Sequence, residues 1–236
     1  MILEAARAAV SQIFSPQLRA VFFKTLGLTI VLLVLAWFGL AGLFDWLALP
    51  WLSGWMPALP DWAGWLGTLG AVIAGLGLAI ALALLVAPVT ALVAGLFLDD
   101  VAEAVERADY PKDPPGRPLP FLPALAGSLK FLGVVILGNI VALLLLLVPI
   151  VNVAAFFLVN GYLLGREFFE FAAMRHMPRG DARAMRKRNG ATVFLAGLVV
   201  AAFMAVPVLN LLTPLFAAAM MVHLYKRVAR AEAPQR

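Results

Sequence analysis

The 236-residue chain is 64% hydrophobic and 13% charged, with a mean hydropathy of +0.97. Soluble domains run at about 45–50% apolar and about 25% charged, so this composition excludes an ordinary soluble monomer and indicates an integral membrane protein. The chain has no cysteine, which excludes disulfides, thiolate metal sites and cysteine nucleophiles, and its net charge of +5 matters less than where the basic residues lie.

Residues 1–18 open with MILEAARAAVSQIF. Glu4 and Arg7 interrupt this stretch and it contains no separate apolar core, so it is not expected to be a signal peptide. Its apolar residues, Ile2, Leu3, Ala6, Val10, Ile13 and Phe14, recur at helical spacing. That spacing predicts an amphipathic helix lying in the cytoplasmic interface. Residues 20–49 follow as the first expected transmembrane helix, centred on LGLTIVLLVLAWFGLAGLF, with Arg19 and Lys24 at its inner end. At roughly 1.5 Å per residue, about 20 residues cross a hydrocarbon core of about 30 Å.

Between Lys24 and Arg107 there is no lysine or arginine. The connector in this stretch, FDWLALPWLSGWMPALPDWAGW, carries only Asp45 and Asp61 as charges, together with Trp46, Trp51, Trp55, Trp62 and Trp65. Basic residues stay on the cytoplasmic side and tryptophans gather at interfaces, so the connector is expected outside and both termini inside. Residues 62–107 are expected as a second, longer transmembrane helix. Its apolar part continues into LDDVAEAVERADY, Pro88 is expected to kink it, and Gly70, Ala71, Ala74 and Gly75 supply small residues for close helix contact. The loop YPKDPPGRPLPFLP, too rich in proline for a helix, then separates front from back.

The back part, 121–176 and 180–230, is read as two helical hairpins that enter from the cytoplasm and penetrate partway. Basic residues flank both pairs of arms: Lys130 and Arg166 for the first, Arg186, Lys187, Arg188 and Lys226, Arg227, Arg230 for the second. The arms at 191–206 and 211–225 are about 22–24 Å long, short of a full crossing. Each turn reads Val-Pro-x-x-Asn, at 148–152 and 206–210. Proline is expected to end one helix and asparagine to cap the next, because unsatisfied backbone groups cost several kcal/mol inside a bilayer. The fold class is therefore an all-α integral membrane protein in one membrane domain, with two long spans, two hairpins and amphipathic interfacial helices.

Polar residues in this apolar setting are the candidate site residues. Arg166, Glu167 and Glu170, with Asn152 and Asn210, are candidates for an ion path or gate. The alternative for the charged trio is a solvated interfacial helix, and for the asparagines (with Asn139 and Asn160) capping or interhelical bonding. The cluster from Arg179 to Arg188 reads as a patch for lipid phosphates. His176 and His223 have no metal-ligand spacing, and neither a nucleophile motif nor a Walker loop is present. No enzyme, metal, cofactor or nucleic-acid partner is expected.

Four segments carry a family resemblance: the N-terminal segment ending SPQLR, APVTALVAGLFLDDVAEAVE, VPIVNVAAFFLVNGYLLGREFFEFAAMR and VPVLNLLTPLFAAAMMVHLY. In that order they resemble the CysZ sulfate-transport proteins, grouped with the wider EI24 membrane family. The resemblance implies two long transmembrane helices with two hemi-penetrating hairpins in a bacterial inner membrane. It also implies uptake of sulfate for cysteine synthesis. The family's Gly-Leu-Arg sulfate motif falls here on Gln17, Leu18 and Arg19, so the arginine is kept and the glycine is not. Arg19 and Lys24 read equally as inner-leaflet anchors. One chain with two spans and two half-dips does not enclose a pore, so transport implies a homo-oligomer; membrane lipids are the other expected partner. A non-transporting scaffold or lipid-organising protein is the alternative from the EI24 side.

Overall fold

The computed structural model describes residues 1–48, 50, 64–120, 133, 149–210 and 212–233, and among these the secondary structure is all helical. The chain divides into two units: residues 26–93 form one, and residues 1–25 with 94–236 form the other.

The 26–93 unit contains most of two apolar helices, α2 (Pro16–Leu43) and α3 (Gly64–Leu96). α2 runs on through a π-helical turn at Phe44–Ala48. The helix from Pro16 to Leu47 is 32 residues long, about 48 Å, and apolar enough to cross a membrane. Leu35, Phe38 and Trp46 on it, and Val72, Ile73 and Leu76 on α3, are exposed, as surfaces solvated by lipid are. α3 runs uninterrupted past Pro88. A Cβ added at Gly70, Gly75 or Gly77 would meet nothing, so the small-residue face has no partner helix among the described residues. Trp51, Trp55 and Trp62 lie outside the described residues.

The other unit is built around α9 (Thr213–Glu232), whose side chains from Leu215 to Lys226 are all buried. Around it pack α1 (Ile2–Ile13), α4 (Leu98–Asp109), α5 (Pro149–Met174) and α7 (Gly190–Met204). Burial on every side explains the composition: Ala217, Ala218 and Ala219 let neighbours approach, and Phe216 stacks on Phe203 at 4.2 Å. α1 buries Ala5, Ala9 and Ile13, spaced four apart, while Leu3, Val10 and Phe14 stay exposed. One helix was expected over 62–107. Instead α3 ends at Leu96 and α4 begins at Leu98, where Asp99 and Asp100 suit the positive end of a new helix.

α5 and α7 cross closely. A Cβ on Gly197 would fall 1.9 Å from the Gly161 carbonyl oxygen and 2.8 Å from Gly165 Cα. The sequence around 161–165 is Gly-x-x-x-Gly, the spacing that puts two glycines on one helix face.

The second Pro-x-x-Asn turn differs from expectation. Pro207–Asn210 forms a single helical turn, α8, separated by two residues from the end of α7. Proline opens a helix here; its fixed φ and missing N–H suit the first helical position. At the first motif Pro149 lies in α5, and the stretch 134–148 before it is outside the described residues. Asn210 does not cap α9. Leu212 holds that position without a side-chain cap, its carbonyl accepts the Phe216 N–H at 2.9 Å, and Pro214 follows within the first turn. The expected first arm of the first hairpin, and Asn139 with it, lies outside the described residues.

Candidate functional site

The start of α2 is fixed locally. Ser15 Oγ accepts the Leu18 N–H at 3.3 Å, and the Ser15 carbonyl accepts the Arg19 N–H at 3.0 Å. Pro16 has no N–H to satisfy, so the Gln17 N–H is the donor of the first turn left without a recorded backbone acceptor among the described residues. Leu18 is buried in the same core as Ile13 and holds the helix end in place. Gln17 and Arg19 are exposed on either side of it.

Lys24 and Arg19 differ. The Lys24 ammonium lies 3.5 Å from Asp100 and over the Phe97 ring. Arg19 has no acidic partner among the described residues. An exposed guanidinium on the first turns of a helix, beside a free N–H and the positive dipole end, can hold an oxyanion.

The five candidate path residues separate into two places. Arg166 and Glu170 share a face of α5, with Arg166 Nε 3.9 Å from Glu170 Oε1. Glu170 is buried, and α6 (Arg179–Arg188) brings it Arg186 Nε at 2.7 Å and Arg183 Nε at 3.7 Å. The Arg186 N–H is not aimed at the carboxylate, so the short contact is ionic without a formed hydrogen bond. Glu167 is half-buried beside them. Asn152 is fourteen positions earlier on the same helix, about 21 Å away along its axis. Asn210, exposed in α8, lies with Asn152 toward the other end of the antiparallel α5–α7 pair, since Gly165 meets Val193 and Gly161 meets Gly197. Asn160 donates its amide to the Phe156 carbonyl at 2.9 Å.

A buried network unforeseen in the sequence ties α4, the proline loop and the end of α5 together. Arg175 forks onto Glu106, with Nε to Oε1 at 3.2 Å and Nη2 to Oε2 at 3.1 Å, and Nη1 donates to Asp99. The Gly116 N–H donates to Glu106 at 3.1 Å, the Leu119 N–H to Asp99 at 3.2 Å, and the Arg117 N–H to the Arg175 carbonyl at 2.7 Å. A Cβ on Gly116 would come within 2.8 Å of both Arg175 and Glu106, so a larger residue here would have to displace the ends of these two side chains. His176 Nε2 lies 3.0 Å from Glu106, with its ring stacked on Tyr225.

Burial pushes the Glu106 carboxyl up, but hydrogen bonds from His176 and Arg175, the Arg175 charge and the Gly116 N–H outweigh it and hold the pKa at about 2. At Asp99 burial prevails over Arg175, and the carboxyl sits above its ordinary range. Both acids belong to α4, outside the apolar run of α3. Farther along α9, His223 sits between Tyr110 Oη at 2.8 Å and Gln12 Oε1 at 3.1 Å, and Lys226 lies 3.3 Å from Asp113.

An all-helical fold among the described residues, with one helix long and apolar enough to cross a membrane, fits a helical membrane protein. A family model described as Sulfate transporter CysZ/Etoposide-induced protein 2.4 matches residues 5–214, and the chain belongs to that family. No curated protein matches it.

Proposed function

We propose that the protein is an inner-membrane sulfate permease that brings sulfate, as an oxyanion with two charges, into the cell for sulfur assimilation and cysteine synthesis. The carrying observation is Arg19: exposed, at the N-terminal end of α2, and without an acidic partner among the described residues, while Lys24 nearby is engaged with Asp100. Gln17, Leu18 and Arg19 form the anion site. Gln17 leaves its own N–H free as a glycine would, Leu18 fixes the helix end, and Arg19 supplies the charge-assisted donors.

α2 and α3 are the two spans, and the α7–α9 segment is one of two hairpins entering from the cytoplasm, where both termini lie. A doubly charged anion cannot enter hydrocarbon unaided, so several chains assemble to enclose the route. Along it, Glu170 with Arg166 and Glu167 sets the charge at one end of the α5–α7 pair, while Asn152 and Asn210 stand at the other.

Expression of the chain in a bacterium lacking sulfate permeases tests this reading. Growth on sulfate as sole sulfur source should return with the wild-type protein. Losing a charge-assisted hydrogen bond is worth about 1.5–3 kcal/mol, so Arg19→Ala should cut uptake at limiting sulfate by about tenfold or more. Failure of a membrane-inserted wild-type protein to rescue would favour a non-transporting scaffold.

A further inference from the structure

The basic cluster at the α5–α6 elbow holds more cation than it needs. One buried carboxylate, Glu170, faces three guanidinium groups, from Arg166, Arg183 and Arg186, a surplus of two positive charges. Glu167 and Arg179, which act on each other electrostatically, add one charge of each sign and leave the surplus at two. All three arginines approach Glu170 through Nε, and none makes a hydrogen bond to protein among the described residues; the buried Arg186 Nε is itself without a partner. Arg166 and Arg183 are 33% and 46% exposed, so their forks face outward and reach solvent or lipid.

A second, independent feature lies beside this cluster. Leu158, Tyr162 and Arg166 are spaced four apart and share one face of α5. Leu158 is 54% and Tyr162 50% exposed, an apolar stripe about 12 Å long that ends at the arginines. Tyrosine with an apolar body and a polar tip suits the membrane boundary at that point.

We infer that this elbow is a binding site for an anionic glycerophospholipid, with the phosphate between Arg166 and Arg183 and an acyl chain along Tyr162 and Leu158. Arg186 stays with Glu170 and neutralises it. The combination selects its occupant: a free anion has no use for the stripe, and a zwitterionic headgroup leaves the charge surplus standing.

Native mass spectrometry of the detergent-purified full chain tests the site, using phosphatidylglycerol and phosphatidylcholine with the same acyl chains. The wild type should retain phosphatidylglycerol preferentially. Each of Arg166→Gln and Arg183→Gln should cut that retention about fivefold, the double variant bringing it to the phosphatidylcholine level. If the double variant fails to fold, the more exposed Arg183→Gln is read alone. Arg107→Gln, which removes a charge paired with Glu103 on α4, should leave retention unchanged. Equal retention of the two lipids would overturn the site, as would an equal loss with Arg107→Gln, which marks a diffuse charge effect. Full displacement of the lipid by inorganic phosphate alone would assign the arginines to a free anion instead.

Discussion

Replacing Arg175 with methionine is expected to destabilise the α9-centred unit by about 3–5 kcal/mol, the usual cost of removing one partner from a buried ion pair. Arg175 is 2% exposed, and without it Glu106 and Asp99, seven positions apart on one face of α4, lose the guanidinium they share, leaving Glu106 only the His176 ring and the Gly116 N–H. Three segments would loosen together, because the Gly116, Arg117 and Leu119 N–H groups all bond to this network. In a thermal melt of the detergent-solubilised protein the midpoint should fall by about 10 °C. Adding Glu106→Gln and Asp99→Asn should recover part of the loss, since the uncompensated charges then disappear. An unchanged midpoint in Arg175→Met would contradict the role given to this arginine.

The same network sets an acid dependence. Glu106 has its pKa lowered from 4.5 to about 2, so the folded state holds its proton less tightly than the unfolded chain. Its contribution is fully present above about pH 4.5 and fades as the pH falls toward 2. Asp99, shifted upward, works against this slope and makes it shallower. Glu106→Gln should therefore flatten the loss of stability between those two values, measured as melting midpoint against pH.

The second large effect is at Gly197. Gly197→Ala should cost at least the 1–3 kcal/mol typical of overpacking, because the added methyl meets backbone on the opposite helix rather than a side chain that can rotate away. α5 and α7 would have to separate along the Gly161–Gly165 face. Gly75→Ala is the control: its Cβ meets nothing, and alanine in a helix interior is worth up to about 1 kcal/mol over glycine. Equal midpoints for the two variants would rule out the close crossing.

The helical, membrane-embedded class was legible because composition and charge placement bear on it directly. The Gly-x-x-x-Gly at 161–165 stood in the sequence too, but its spacing does not distinguish it from the small residues at 70–75, where a Cβ on Gly70 or Gly75 meets nothing. The central place of α9 was not readable. A helix buried in protein and one buried in lipid share the same apolar composition, and only the tertiary neighbours tell them apart. Arg175 and Glu106 are 69 positions apart, so no local spacing announces their pairing. Arg166 and Glu170, four apart, could be paired from sequence, yet Arg186 of α6 is the closer partner at 2.7 Å. At 206–210 proline and asparagine marked a break between helices but not its form, since Pro207 opens α8 and Leu212, not Asn210, stands before α9. Whether proline closes one helix or opens the next depends on where the neighbouring backbone finds its bonds.

Sulfate transport is tested most directly by the initial rate of labelled sulfate entry into liposomes carrying the purified protein. That rate should exceed the rate in protein-free liposomes, saturate with sulfate and fall about tenfold or more with Arg19→Ala. A rate equal to that of protein-free liposomes, with the protein shown to be folded and inserted, would contradict the permease reading.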